Sequence, residues 1–222
     1  PFFNEENKSI NIFLENLKIL NKYDFINEIY LVDDGSDDNT LSILNNFSKN
    51  QKSNKFKLFN NNKNKGVGFS FKEVLKVSQS SHIIFIPSDN DIPLNIFENV
   101  ESYINANIDL LMFYPLNLEK YSRSRYLVSM LFRIIYGFVF DVKINYLQAP
   151  GLYNIKKIKE FDLFSDRFSI WSELNIKLIK SGISFSEVGI EYKKKSYNNN
   201  HYAFCLFLWS GSWIMAINTY YS

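Results

Sequence analysis

Four short apolar runs, IYLV at 29–32, FKLF at 56–59, HIIFIP at 82–87 and DLLMFY at 109–114, are each parted from the next by a single helix-length stretch. Strands joined through helices pair side by side in parallel, because a parallel pair needs a long crossover between its members. The alternation therefore predicts an α/β fold, a mostly parallel sheet with helices on both faces. The intervening stretches read as helices at about 40–49, with an apolar face of Leu41, Leu44 and Phe47, at 69–78, and at 94–107. Ahead of the first run, Ile10, Phe13, Leu14, Leu17 and Leu20 form a further helical stripe. The opening PFFNEENKS reads as the exit of a strand whose body lies upstream of residue 1.

After residue 115 the pattern changes. YLVSMLFRIIYGFVF at 126–140 is apolar nearly all round, broken by Arg133 and Gly137. A later helix ends at a glycine cap, Gly182, and is followed by a strand near 184–190. The segment YAFCLFLWSGSWIMAI at 202–217 has sixteen residues, short of the ~20 of a full membrane span. With Trp209 and Trp213 it suits an interfacial helix or a span whose remainder is missing. The expected organisation is one domain over 1–196, a first half to 115 and a second from 116, followed by a basic and apolar tail over 197–222.

Hydrophobic residues at 46% supply a packed core and argue against disorder. A formal charge of +2 without a concentrated basic face argues against nucleic acid as a partner. One cysteine, Cys205, and two histidines, His82 and His201, exclude an internal disulfide and make a His/Cys zinc site improbable. Any metal here is held by oxygen.

Two acidic turns carry the chemistry. VDDGSDDNT follows the first apolar run with Asp33, Asp34, Asp37 and Asp38, and SDND follows the third with Asp89 and Asp91. Both lie where strands of an open α/β sheet end, the edge at which such sheets place ligands. Read alone, each is also ordinary turn and helix-cap chemistry, with Asp38 or Asn39 capping the next helix. Two carboxylates two residues apart repel and raise each other's pKa, and a divalent cation relieves this; hard oxygen donors suit Mg2+ or Mn2+. The loop NKGVG adds Lys65 and Gly66. KGVGFS lacks the third glycine of a dinucleotide fingerprint and follows a polar loop, which sets that reading aside.

Taken together, PFFNEE, VDDGSDDNT, NKGVG and SDND resemble, in order and spacing, the family 2 glycosyltransferases of GT-A fold over residues 1–93. The second half, in RSRYLVSMLFRIIYGFVFDVKINYLQAPGLYNIKK and DRFSIWSELNIKLIKSGISFSEVGIEYKKKSYN, is similar to the polyprenyl-phosphate branch typified by dolichol-phosphate mannose synthase. The chain departs from that branch in carrying YPLNLEK after the fourth run, where an arginine is usual, and APGLYN in place of a GFR-like signature. The resemblance implies an inverting enzyme that takes a sugar from a UDP- or GDP-linked donor. It implies that Pro1, Phe3, Glu5, Asp33 and Asp34 hold the nucleoside, Asp33 meeting base or ribose while Asp34 fixes the turn. Lys65 adds a cation near the phosphates, and Asp89 and Asp91 bind Mg2+ or Mn2+. Asp37 and Asp38 fall to helix capping.

An ionised polyprenyl phosphate attacks without a general base and is held by cations, for which Arg123, Arg125 and Arg133 are the candidates. A saccharide hydroxyl needs a carboxylate base, for which Asp166 and Glu173 are the candidates. Trp171 beside Glu173 reads as core, with sugar stacking the alternative. The lysines of KKKSYNNNH stand where the family carries a basic loop over the active site, and read equally as a basic collar at a membrane surface. With the apolar helix at 126–140 and the tail at 202–217 they suggest an enzyme working at the cytoplasmic face on a lipid substrate, which the resemblance assigns to cell-envelope glycan synthesis. Transfer to a saccharide in surface polysaccharide assembly, or a nucleotide-binding pseudoenzyme, are the alternatives.

Overall fold

In the computed structural model, which describes residues 1–89, 92–117, 123–148 and 150–191, strands and helices alternate to residue 115. Helix α1 (Lys8–Leu17) starts where the Asn7 side chain accepts from the Ser9 amide at 2.8 Å. Its Ile10, Phe13, Leu14 and Leu17, and Leu20 of the following 3-10 turn, are all buried, as the stripe predicts. Strand β1 (Ile29–Asp33) leads to α2 (Thr40–Lys49), β2 (Phe56–Asn60), α3 (Val67–Val77) and β3 (His82–Ile84). A 3-10 turn, Leu94–Ile96, opens α4 (Phe97–Asn105), and β4 (Leu110–Pro115) follows. The second half supplies α5 (Arg123–Phe140), β5 (Gly151–Asn154), α6 (Ile155–Ile158), α7 (Ser169–Lys180) and β6 (Phe185–Ile190).

The strands pair in two sets, β1 with β2 in parallel, and a four-stranded sheet in the order β3-β5-β4-β6. The four-stranded sheet is mixed: β4 and β6 run parallel, while β5 runs antiparallel to both β3 and β4. Phe2 bridges to Asp33 in parallel, so the opening segment lies along β1. The run at 82–87 is paired only over His82–Ile84, and β5 has no counterpart in the pattern read from the sequence.

Strand alternation divides the core between the two faces of the sheet. Leu111, Phe113 and Leu152 pack with Phe2, Leu31, Leu44 and the buried faces of α1 and α4. Leu110, Met112 and Tyr153 pack with Phe71 of α3, Phe132, Tyr136 and Phe140 of α5, and Ile170, Trp171 and Leu174 of α7. Helices thus cover both faces, which is the doubly covered α/β arrangement the alternation predicts.

One polar knot holds the foot of this sheet. Glu28, just before β1, gathers the Lys57 ammonium, the Tyr30, Ser78 and Ser80 hydroxyls and the Gln79 amide. Burial works against its charge, yet these donors outweigh burial and hold the carboxyl at about 2. A carboxyl depressed on folding stabilises the fold above its unfolded value, and that contribution drains away as pH falls from 4.5 towards about 2. Glu28→Gln will therefore lower Tm at neutral pH and flatten the acid side of the stability curve. Thermal melts recorded across that window check it.

Candidate functional site

The strand ends bring the first acidic turn, the opening segment and the glycine loop to one edge. Asn4 donates its amide to Ser36 Oγ at 3.0 Å, and its Oδ1 accepts from the Asp37 amide at 2.9 Å. The Glu5 amide donates to Thr40 Oγ1, and Glu6 accepts from both the amide and side chain of Asn39. Asp38 accepts from the Thr40 and Glu6 amides; burial opposes its charge, and these bonds hold its pKa below the usual range. Asp38 thus sits at the start of α2 in the role expected of it, whereas Asn39, at the N-cap position, makes no capping bond with its side chain.

The adjacent aspartates divide sharply. Asp34 is buried with its carboxylate filled: Oδ1 accepts from Asn61 Nδ2 at 2.8 Å, the Lys65 amide at 3.1 Å and Ser70 Oγ at 3.3 Å, and Oδ2 from the Gly66 amide at 2.8 Å. Asp33 is equally buried, yet only its Oδ2 is engaged, by the Ser36 amide at 3.1 Å. Among the described residues its Oδ1, also buried, has no partner. A buried acceptor left open is costly unless a ligand supplies the donor.

Gly66 and Gly68, which open α3, are required by a close approach. A Cβ on Gly66, at φ 98°, would lie 2.5 Å from the Asp166 carbonyl oxygen, and one on Gly68 would lie 2.7 Å from Ser165 O. That carbonyl of Asp166 accepts from the Phe69 amide at 3.0 Å, so the second half of the chain caps a helix of the first. The Asp166 carboxylate pairs with Lys72 at 2.7 Å. Arg167, not singled out in the sequence, lies with its side chain against Gly66.

Glu173 is 8% exposed in α7. It accepts from the Phe164 amide at 3.0 Å, the Ser165 amide at 2.9 Å and Lys177 Nζ at 2.8 Å. Burial raises its pKa, but Lys177 and the two amides outweigh burial and hold it low. Trp171 is fully buried among Phe71, Phe85 and Tyr153, which makes it core rather than a sugar platform.

Pro1 is partly buried, and Phe3 is exposed where its neighbour Phe2 enters the core. Lys65 rests its ammonium over the Phe69 ring at 4.0 Å. Ser88 Oγ reaches Glu5 Oε1 at 3.4 Å, which joins the opening segment to the exposed Asp89 beside it. Asp91 lies outside the described residues, as does the tail from 192 onward. Arg125 belongs to the first turn of α5 with Arg123, the side chains of both lying outside the described set. Arg133 is exposed further along α5, beside a shallow groove it shares with Lys143 and Asn145. Among the described residues no three His, Cys, Asp or Glu side chains gather as a metal cluster. Glu5, Asp33 and Asp89 at this edge are carboxylates, a donor chemistry that fits Mg2+ or Mn2+.

A family model, glycosyl transferase family 2, matches residues 1–135. The chain belongs to that family. Proteins of known structure share its architecture. S. aureus TarS 1–349 has 22% identity, a TM-score of 0.63 and a match covering 86% of this chain and 57% of that one. Glucosyl-3-phosphoglycerate synthase from Mycobacterium tuberculosis, in a structure with Mn2+, UDP and glucosyl-3-phosphoglycerate, has 16% identity and a TM-score of 0.66, over 97% of this chain and 77% of that one. Mannosyl-3-phosphoglycerate synthase from Rubrobacter xylanophilus has 17% identity and a TM-score of 0.68, over 98% and 70%. At these identities the likeness fixes the fold, which is GT-A. This glycosyltransferase family 2 chain spans just over half the length of TarS 1–349. No curated protein sequence matches it.

Proposed function

We propose that this domain moves a sugar from a UDP- or GDP-linked donor to a polyprenyl phosphate at the cytoplasmic face of a membrane. The observation that carries the donor side is the open Oδ1 of Asp33, buried at the end of β1 beside a turn that Asp34 holds rigid. A base N–H or a ribose hydroxyl supplies the donor that this oxygen lacks. Two solved structures of one similar protein, glucosyl-3-phosphoglycerate synthase, contain Mn2+ and UDP, which supports a nucleotide-linked donor and a divalent ion. Asp89 and Asp91 would hold that ion, which when bound supplies neutralising charge to the departing diphosphate.

The acceptor reading rests on the second half. Both candidate bases are engaged, Glu173 with two amides and Lys177, and Asp166 with Lys72. A phosphate acceptor is ionised at neutral pH and needs no base, only cations to orient it, a role for Arg125 and Arg133. Helix α5 carries three arginines and no carboxylate, and Leu127, Leu131, Ile134 and Phe138 form an exposed apolar stripe along it, Phe138 being 89% exposed. A basic helix with an outward apolar stripe suits the surface of an anionic bilayer. No helix among the described residues is long and apolar enough to cross a membrane.

Calorimetry with UDP and GDP, with and without Mn2+, tests the donor side. One nucleotide is expected to bind in a metal-dependent way, and Asp33→Asn to weaken it by at least about tenfold while leaving the fold intact. Binding of neither nucleotide would sink the reading. Transfer assays on polyprenyl phosphate in anionic vesicles against a soluble oligosaccharide then decide the acceptor: sugar on the oligosaccharide alone would replace lipid with saccharide.

A further inference from the structure

We propose that Glu173 is a positioning residue for the donor pocket, reaching it through the 164–166 segment, and not the proton acceptor of the reaction. The inference rests on the donor site proposed above. Its geometry begins with an occupied carboxylate. Both oxygens of Glu173 are committed to the amides of Phe164 and Ser165, and Oε1 also to Lys177, whose ammonium further reaches the Asp162 carbonyl at 2.6 Å. A base must offer a lone pair to the proton it takes, and such an oxygen would first have to give up a buried bond.

What the carboxylate does instead is hold a segment in place. From the other side Lys72 of α3 donates to the Leu163 carbonyl at 3.1 Å, so residues 162–166 are clamped between α7 and α3. That segment is seated on the glycine turn with no space between them: the Asp166 carbonyl caps the Phe69 amide, and neither Gly66 nor Gly68 has room for a methyl group. The turn's own amides, at Lys65 and Gly66, end on the carboxylate of Asp34, next to the open oxygen of Asp33. A continuous path of hydrogen bonds and close packing therefore joins a side chain of the second half to the nucleoside pocket of the first. Removing the Glu173 charge frees two amides and Lys177, loosens the seat and lets the glycine turn shift.

The test uses the 222-residue chain and its Glu173→Gln variant, with Lys177→Met as a milder second variant that keeps both amide bonds. Two readouts separate positioning from bulk stability and from base catalysis. The first is hydrogen–deuterium exchange: exchange at 64–70 is expected to rise in both variants while 29–33 keeps its protection. The second is steady-state kinetics. Donor KM is expected to rise roughly tenfold in Glu173→Gln, and less in Lys177→Met, with kcat at saturating donor held within about threefold and its acid limb unmoved. A kcat collapse of about a thousandfold with unchanged donor affinity and a lost acid limb would make Glu173 a base and overturn the proposal. Unchanged exchange at 64–70 would overturn it as well, even where Glu173→Gln melts early. If Glu173→Gln does not fold, Lys177→Met decides by the same two readouts. Failure of the wild-type chain to bind either nucleotide would instead defeat the donor reading, and the exchange result would still decide whether the seat depends on Glu173.

Discussion

Asp34→Ala is expected to cost about 3 to 5 kcal/mol of stability and to abolish nucleotide binding. The carboxylate accepts from two backbone amides, the Asn61 side chain and the Ser70 hydroxyl, and Asn61 and Ser70 are themselves buried. Alanine leaves the buried Asn61 and Ser70 donors without the carboxylate, which costs more than the bonds contributed. The isostere gives little relief, because Asp34→Asn turns an NH2 towards groups that are already donors. Asp33→Asn should behave in the opposite way, since among the described residues only the Ser36 amide relies on its carboxyl and one oxygen has no partner. Urea unfolding and nucleotide calorimetry on the two Asn variants will separate them: stability and binding fall together at 34, and binding falls alone at 33. Equal stability losses at both positions would count against this division of labour.

Trp171→Ala is expected to cost about 3 to 5 kcal/mol, a fall in Tm of roughly 6 to 20 °C for a chain of this size. The indole is fully buried, with ring centroids of Phe71 and Phe85 at 5.0 Å and 4.6 Å, so truncation empties the layer between α3, the β3 run and α7. Trp171→Phe should be far milder. It keeps most of the ring contact and deletes an indole N–H that is buried with no partner among the described residues. Differential scanning calorimetry of the two variants reads the contrast.

Much of this was legible in the chain because it depends on local pattern. The stripe from Ile10 to Leu20 fixes α1 and its buried face, and the apolar runs place β1, β2 and β4 within a residue or so. Strand β5 was not legible. GLYN is four residues with glycine at one end and asparagine at the other, too short for a period, and it becomes a strand by pairing on both sides. Which of Phe2 and Phe3 enters the core was equally hidden, since the pair offers no alternation to read. At the site, the acidic turns stood out by composition, but the partners of Asp34 did not. Asn61 sits in a run of asparagines with nothing local to distinguish it from Asn60 or Asn62, and only the fold brings it to the carboxylate. The occupied state of Glu173 is likewise tertiary, set by amides eight and nine residues before it.

The place of β5 also has a consequence for synthesis. Strands β3 and β4 are neighbours in sequence, yet β5 lies between them. When the ribosome has delivered residue 115, those two strands have no partner in common and two unpaired edges face each other across a gap. The gap closes only when residues 151–154 emerge, so the nascent chain must keep its first half soluble while α5, with its outward Phe138, passes through. Folding of this domain is therefore expected to be a late, whole-chain event, and a nascent chain stalled at residue 115 should stay sensitive to protease where one stalled well beyond β6 resists it.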